Sequence, residues 1–259
     1  MSRHSHWAKI KRGKGAADSN RGALFSKHAR LITVASREGG GDPSFNFKLR
    51  LAVDRAKSDG MQKDAIERAI ARGSSAVAGE IIETVLYEGI APGGAGVLVE
   101  CLTDNRNRSL GVVKLVFTKQ GGTLGGEGSV RWQFERRGVL RVAAASSKLQ
   151  VPTLRSEPRH AVVGAASREE TELTLIEAGA EDIQEEDGGI VVLTKMEDLQ
   201  RVREAAMAAG LTVSDAGLEW IPKQRVDVSD AQRESFETFL GALDELDDVQ
   251  EVYTNASGY

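Results

Sequence analysis

The spacing of apolar residues changes from helical to extended near residue 75, and this change limits the fold more than any other feature of the sequence. Before it, apolar residues recur every three or four positions, which is the pattern of a helix face against a core. After it, short alternating or wholly apolar runs such as 96–103 predict strands. A length of 259 residues suits two or three modest domains. The sequence therefore predicts a helical domain joined to mixed α+β domains.

The helical part is predicted to be a bundle of three short helices. The first spans 20–38, the second follows Pro43, and the third spans 62–72. His28 falls on the apolar arc of the first helix, so we expect it to be packed rather than to bind a ligand. Because the apolar stripes are narrow, the basic residues are expected to line the outside of the bundle.

The rest of the chain is predicted to form antiparallel α+β sandwiches. The polar segment 144–168 is predicted to be a loop. Helices are predicted at 108–120, 169–178, 196–209 and 232–246. Strands are predicted at 84–87, 96–103, 129–136, 138–143, 189–194, 211–221 and 249–253.

Charge is divided unevenly along the chain. The first 72 residues hold 16 Lys or Arg against 7 Asp or Glu, whereas the remaining 187 hold 18 against 31. The overall net charge of −4 therefore hides a basic segment of net +9 followed by an acidic body of net −13. Such a division is typical of a protein whose basic end meets a polyanion.

The first residues combine cations with an indole. Phosphate contacts need Lys and Arg, and unpaired bases need a flat side chain, so this segment is predicted to bind nucleic acid. The alternative is a frayed basic terminus with Trp7 packed against the bundle. The predicted contacts are His4, His6, Trp7, Lys9, Lys11, Arg12 and Lys14, continued on the bundle by Arg21, Lys27 and Arg30.

A second candidate patch contains Arg106 and Arg108, where a strand is predicted to end and a helix to begin. Free backbone N–H groups and two guanidinium groups could meet a phosphate there. Equally, Thr103 or Asp104 could cap the helix while the arginines pair with neighbouring acids. Both alternatives are open.

No catalytic residue, cofactor or metal is predicted. The glycines of 121–126 have the spacing of a phosphate-binding loop, but Glu127 stands where a lysine is needed. The histidines form an incomplete set of zinc ligands. Cys101, the single cysteine, lies in an apolar strand and is expected to be a buried, inert thiol. The lone cysteine and the lack of a long apolar run favour a cytoplasmic protein without membrane contact.

Several motifs together resemble those of the YebC family. In chain order they are His4-Ser5-His6-Trp7-Ala8-Lys9-Ile10-Lys11-Arg12-Gly13-Lys14, Arg21-Gly22, Phe25-Ser26-Lys27, Gly39-Gly40-Gly41-Asp42-Pro43, Lys63-Asp64-Ala65-Ile66-Glu67-Arg68-Ala69-Ile70, Tyr87-Glu88-Gly89, Ala91-Pro92-Gly93-Gly94, Glu100-Cys101-Leu102-Thr103-Asp104-Asn105-Arg106-Asn107-Arg108, Glu177-Ala178-Gly179-Ala180-Glu181-Asp182 and Leu218-Glu219-Trp220-Ile221-Pro222.

The resemblance implies three domains. They are a basic helical bundle with an N-terminal arm at 1–76, a discontinuous α+β domain at 77–137 and 215–259, and a ferredoxin-like α+β domain inserted at 138–214. It also implies nucleic-acid binding without catalysis. Bacterial members are commonly called probable transcriptional regulators, and a mitochondrial relative is a translational activator of cytochrome oxidase.

The function that these observations favour is a non-enzymatic, nucleic-acid-binding regulator of gene expression. Family members described as ribosome-associated factors that relieve stalling make a translation factor the preferred prediction, with ribosomal RNA or tRNA, and hence the ribosome, as partner. A flexible basic arm with an indole also suits irregular RNA. The alternatives are a DNA-binding transcriptional regulator and a protein-interaction module. No oligomeric state is predicted.

Overall fold

The computed structural model describes residues 18–75, 82–143, 168–186 and 189–257. Within these ranges the chain separates into two compact units. One unit spans Arg136–Glu219, and the other contains the chain on both sides of it, up to Glu135 and from Trp220. No helix in these ranges is long and apolar enough to cross a membrane.

Helices and strands follow one another in the order that the change of apolar spacing predicts. A short 3₁₀ turn, Arg131–Gln133, precedes the strand that begins at Phe134. The elements are α1 (Asp18–Gly39), α2 (Phe47–Ser58), α3 (Lys63–Ser74), β1 (Glu83–Ile90), β2 (Gly96–Thr103), α4 (Arg106–Lys119), β3 (Thr123–Leu124), β4 (Phe134–Val142), α5 (Arg168–Glu177), β5 (Ala180–Glu186), β6 (Gly189–Thr194), α6 (Leu199–Ala208), β7 (Val213–Pro222), β8 (Val226–Asp227), α7 (Asp230–Asp244), β9 (Val249–Thr254) and β10 (Ala256–Ser257).

Helices α1, α2 and α3 form the predicted bundle around one apolar core. Asn46 caps α2 by accepting a hydrogen bond from the N–H of Leu49, and its amide donates to the carbonyl of Ala35 at 2.7 Å. This side chain therefore starts α2 and ties it to α1. Helices α1 and α3 meet closely at Gly73, where an added Cβ would lie 2.3 Å from the carbonyl oxygen of Thr33.

The bundle shares its compact unit with a sheet domain. Strands β3-β1-β2-β9 form an antiparallel sheet in that order, and α4 and α7 contribute to the core on one side of it. In that core the rings of Phe117 and Phe239 meet edge to face, with centroids 4.9 Å apart. Leu98 of β2 points to the opposite face and joins a second apolar cluster with Val130 and Phe134. Strand β2 is thus covered on both faces.

The inserted unit has the ferredoxin-like order β4-α5-β5-β6-α6-β7, and its sheet runs β5-β6-β4-β7. Arg141 on β4 donates to both carboxylate oxygens of Glu219 on β7, at 2.5 and 2.8 Å. The predicted fold class, with a helical bundle, an α+β domain and a ferredoxin-like insertion, is confirmed.

One local prediction is wrong. Residues 129–143 do not hold two separate strands, because a 3₁₀ turn leads directly into the single strand β4. The acidic run 181–187 belongs up to Glu186 to the edge strand β5, whose side chains are mostly solvated. The predicted loop at 144–168 falls, apart from its last residue, outside the described residues.

Candidate nucleic-acid interface

The predicted N-terminal contacts, from His4 to Lys14, lie outside the described residues, and their role stays a prediction. Arg21 is exposed near the start of α1. The other predicted contacts on described elements are Lys27, Arg30, Arg106 and Arg108.

Lys27 faces the sheet domain rather than solvent. Its side chain is 8% exposed, and its Nζ donates to the backbone carbonyl of Asp244 at 2.6 Å, with the carboxylate of the same residue 3.6 Å away. Arg55 on α2 makes a comparable contact, with its Nη1 2.7 Å from Oε1 of Glu251. Lys27 thus lies on the outside of the bundle but is buried there, because part of the bundle's positive charge meets acidic residues of the sheet domain.

Asp248 is the centre of the contact between the bundle and the sheet domain. Its side chain is 8% exposed and accepts hydrogen bonds from Ser109 Oγ at 2.8 Å and Thr103 Oγ1 at 3.2 Å. It also accepts from Arg108 Nη2 at 3.1 Å and from Arg30 Nη1 at 3.2 Å. One carboxylate thus joins α1, the end of β2 and the first turn of α4.

Both arginines at the start of α4 pair with acids, which was one of the two open alternatives. Arg106 Nε donates to Oε2 of Glu83 at 2.5 Å, and Arg108 Nη2 donates to Oδ1 of Asp104 at 2.6 Å. The hydrogen bond from Arg108 lowers the pKa of Asp104, and the same bond is the main cause of a raised pKa for Arg108. Their binding to phosphate is untested and stays a prediction.

The cap of α4 differs from both residues proposed for it. Asn105 occupies the cap position, and its Oδ1 accepts from the N–H of Arg108 at 3.1 Å. Thr103 cannot cap the helix because its hydroxyl, still at the end of β2, accepts from the N–H of Asn105 and reaches Asp248. Asp104 is held by Arg108 instead. The predictions of Thr103 or Asp104 as cap are wrong.

Other basic residues do face solvent. Lys57, Arg68 and Arg72 are exposed, and their side chains make no ion pair or hydrogen bond within the described part of the chain. Lys63, by contrast, lies 3.6 Å from Glu67 on the same helix. Sequence reasoning did not single out these three cations, although the positive net charge of the bundle was the available signal.

A surface cavity of about 400 Å³ lies beside the start of α4. Arg106 and Arg131 both line it, together with Glu88, Gly125 and Glu127, among other residues. Arg131 was not predicted from the sequence, because it follows a turn of glycine and serine rather than a basic run. The cavity brings two guanidinium groups from distant parts of the chain to one place.

Two described residues with metal-binding or nucleophilic chemistry, Cys101 and His28, are both buried. Cys101 is fully buried, as predicted, and burial raises the pKa of its thiol to about 12. His28 is buried, as predicted, and its Nε2 lies 2.7 Å from Oδ2 of Asp59. Among the described residues, no group of three or more His, Cys, Asp or Glu could hold a metal ion.

The architecture and these contacts define a class of proteins in which a basic helical bundle is docked on an α+β domain that carries a ferredoxin-like insertion. A family model described as the TACO1/YebC protein N-terminal domain matches residues 5–76, and one described as the TACO1/YebC second and third domain matches residues 82–256. The chain belongs to the TACO1/YebC family, as its motifs predict.

Similar proteins match over nearly the whole chain. One from Thermomicrobium roseum, named "Probable transcriptional regulatory protein", is 45% identical over 99% of this chain and 96% of its own length. One from Desulfosudis oleivorans with the same name is 42% identical over 99% and 97%. The crystal structure of a conserved hypothetical protein from Aquifex aeolicus has a TM-score of 0.82 and 40% identity, covering 98% of this chain and 97% of that one.

Proposed function

We propose that this protein is a non-enzymatic regulator of gene expression that binds nucleic acid through its N-terminal segment and the solvent-facing cations of its bundle. One observation carries the proposal: residues 1–17 contain five Lys or Arg and no Asp or Glu. They precede a bundle on which Lys57, Arg68 and Arg72 remain exposed. A cationic segment of this kind gains affinity by displacing counterions from phosphates.

The ion pairs of the bundle exclude two of its cations from the proposed nucleic-acid-binding surface. Lys27 is committed to Asp244, and Arg30 shares Asp248 with Arg108. A phosphate that displaced these partners would leave a nearly buried carboxylate without its cations, which is unfavourable. The proposed contacts are therefore Lys9, Lys11, Arg12, Lys14 and the outer cations, rather than Lys27 and Arg30.

Within this function, we propose RNA in a translation complex as the physiological target. A short cationic segment with Trp7 suits irregular RNA, whose unpaired bases offer flat faces. The acidic body, net −13 beyond residue 72, opposes wrapping along a duplex. Duplex DNA is the second candidate, since the similar proteins are named probable transcriptional regulatory proteins.

Measurement of affinity against salt concentration tests the binding surface. On a single strand, the slope of log K against log salt has a magnitude of about 0.7 for each phosphate that the protein neutralises. We expect Lys9→Ala combined with Lys11→Ala to weaken binding and reduce this slope. Lys114→Ala combined with Lys119→Ala is the matched control, because both lysines are exposed on α4 and replacing them removes the same amount of charge as replacing Lys9 and Lys11. Equal slopes for the two double variants would refute the proposed surface.

Cross-linking in cells, followed by sequencing of the bound nucleic acid, separates the two targets. Recovery of ribosomal RNA or tRNA would support the translation role. Enrichment of promoter DNA without RNA would replace that role with transcriptional regulation. Recovery of neither, together with no binding by the purified chain at low salt, would refute nucleic-acid binding.

A further inference from the structure

Trp132 is an exposed aromatic side chain on an otherwise well-anchored turn. The residue is 68% exposed, although the flanking Val130 and Phe134 are almost fully buried. Its indole Nε1 donates to the carbonyl of Ser129 at 3.1 Å, so the polar atom of the ring is already satisfied. The part of Trp132 that faces solvent is therefore mainly apolar ring surface, and covering this surface with another flat group is energetically favourable.

The start of the turn is fixed by a buried carboxylate. Glu88 on β1 is 2% exposed and accepts from the backbone N–H groups of Gly128, Val130 and Arg131 at 2.7, 2.8 and 2.7 Å. Burial alone would raise the pKa of Glu88, but these hydrogen bonds lower it below its ordinary value. Glu88 is thus held ionised, and charge-assisted bonds of this kind fix the backbone position.

The end of the turn is fixed by Lys223. Its backbone N–H donates to the carbonyl of Gln133 at 2.8 Å, and its Nζ donates to the carbonyl of Trp132 at 3.0 Å. Since both ends of the turn are held, the ring is positioned before any ligand arrives. A pre-positioned aromatic side chain loses little conformational entropy on binding.

Two exposed cations belong to residues next to Trp132: Arg131 precedes it in the chain, and Lys223 contacts its backbone carbonyl. Arg131 and Lys223 are both exposed, and the guanidinium of Arg131 donates no hydrogen bond to any described residue. Arg131 also shares the cavity of about 400 Å³ with Arg106. Glu127 lines the same cavity but is exposed and can turn to solvent. A flat ring with cations on neighbouring positions is the arrangement that binds a single strand, with a base on the ring and phosphates on the cations.

We propose that Trp132 is a stacking site for an unpaired base of a single-stranded nucleic acid, with Arg131 and Lys223 contacting the adjacent phosphates. This inference rests on the proposed function of nucleic-acid binding and adds a second binding site, in the sheet domain, to the N-terminal segment. A continuous duplex does not satisfy the site, because its base faces are hidden in the stack. RNA and DNA single strands share the required chemistry.

The test compares Trp132→Ala, Trp132→Phe and the control Leu115→Ala in the full chain. Leu115 is an apolar residue of the same domain and is 51% exposed, so its removal controls for general loss of apolar surface. The probes are a short unstructured RNA, DNA of the same sequence and a long, fully paired RNA duplex. Thermal unfolding of each variant verifies that the fold is intact.

Stacking of one base corresponds to a decrease of about 5- to 150-fold in affinity when the ring is removed. We expect Trp132→Ala to show such a decrease for the unstructured RNA, Trp132→Phe to retain most of the affinity, and Leu115→Ala to match the parent chain. The salt slope of Trp132→Ala should be unchanged, whereas Arg131→Ala combined with Lys223→Ala should reduce it by about 1.4, or 0.7 for each phosphate.

The possible results separate stacking from the proposed function. A larger decrease for RNA than for DNA identifies RNA as the source of the base, and the reverse identifies DNA. If the parent chain binds the probes but Trp132→Ala binds them equally well, the stacking site is refuted while the proposed function stands. An equal decrease for the duplex and the unstructured strand would also refute stacking. If the parent chain binds no probe at low salt, the proposed function itself fails.

Discussion

Asp248 offers the sharpest test of how the bundle is held on the sheet domain. Replacing Asp248 with Ala removes the acceptor for two buried hydroxyl groups, on Ser109 and Thr103, and for the guanidinium groups of Arg30 and Arg108. The change leaves the backbone of β9 intact, because Asp248 precedes that strand. The decrease in stability therefore reports mainly on the side-chain interactions.

The magnitude follows from the burial of each donor. Ser109 and Thr103 are 0% and 2% exposed, but each hydroxyl also lies 3.2 Å from the carbonyl oxygen of Asn105, so each loses about 1 kcal/mol rather than the full penalty of an unpaired group. The side chains of Arg30 and Arg108 are 31% and 50% exposed and can be hydrated, so together they add about 1 kcal/mol. We expect Asp248→Ala to lower the free energy of unfolding by about 3 kcal/mol.

Urea unfolding followed by circular dichroism measures the total decrease in stability, and hydrogen exchange shows which elements lose protection. Protection should fall in peptides of α1 and α4 but not in those of Arg136–Glu219, which form the other compact unit. Asp248→Asn keeps an acceptor oxygen but loses the charge, so we expect about half the effect. Asp247→Ala is the control, because the carboxylate of Asp247 is exposed and its backbone carbonyl, which Arg30 contacts, is retained. An Asp248→Ala chain as stable as the Asp247→Ala chain would refute the reasoning.

Further expectations concern three buried positions. Glu88→Gln should destabilise the chain by about 1 to 3 kcal/mol in urea unfolding, because an amide nitrogen would face a backbone N–H. Since the pKa of Glu88 is lowered in the folded state, the difference in stability between the parent and the variant should shrink as pH falls through that pKa. A difference that stays constant with pH would contradict the role given to the ionised carboxylate. Cys101 should resist alkylation at pH 8 in the native chain and react after unfolding, because its pKa is raised to about 12; rapid native labelling would contradict its burial. Gly73→Ala should lower the stability of the bundle by about 1 to 3 kcal/mol, because the new Cβ would meet the carbonyl of Thr33 and force α1 and α3 apart. An unchanged melting temperature would contradict the close contact of these two helices.

The helices and most strands could be predicted because their cause is local. The apolar arc of α1 and the apolar run of β2 are visible in a window of a dozen residues, and both elements form where that pattern indicates. Strand β5 is not indicated by such a local pattern. It lies at a sheet edge and needs few apolar residues, so its acidic sequence has the composition of a turn.

The candidate interface could be predicted only in part, because its determinants are distant in sequence. The basic segment is evident from composition, but the burial of Lys27 depends on Asp244, which lies 217 residues further along the chain. A lysine is normally assigned to the surface, and no local pattern reveals a partner so far away. Likewise, nothing near Glu88 indicates that its carboxylate organises the turn some 40 residues later that positions Trp132.

The sheet order β3-β1-β2-β9 has a consequence for the order in which the protein folds during synthesis. The bundle core is complete once α3 has emerged, and the inserted unit can close once β7 has emerged. Strand β2 can pair on its second edge only after β9 has been made. Likewise, the N–H of Gly96 donates to Oδ1 of Asn255, which lies 159 residues later in the chain. Until then the β1–β2 hairpin exposes an unpaired apolar edge, which is prone to aggregation. Residues 244–257, made after the inserted unit, therefore complete the sheet and also supply Asp244, Asp248 and Glu251, so a chain that lacks them would leave both the sheet and the docked bundle unfinished.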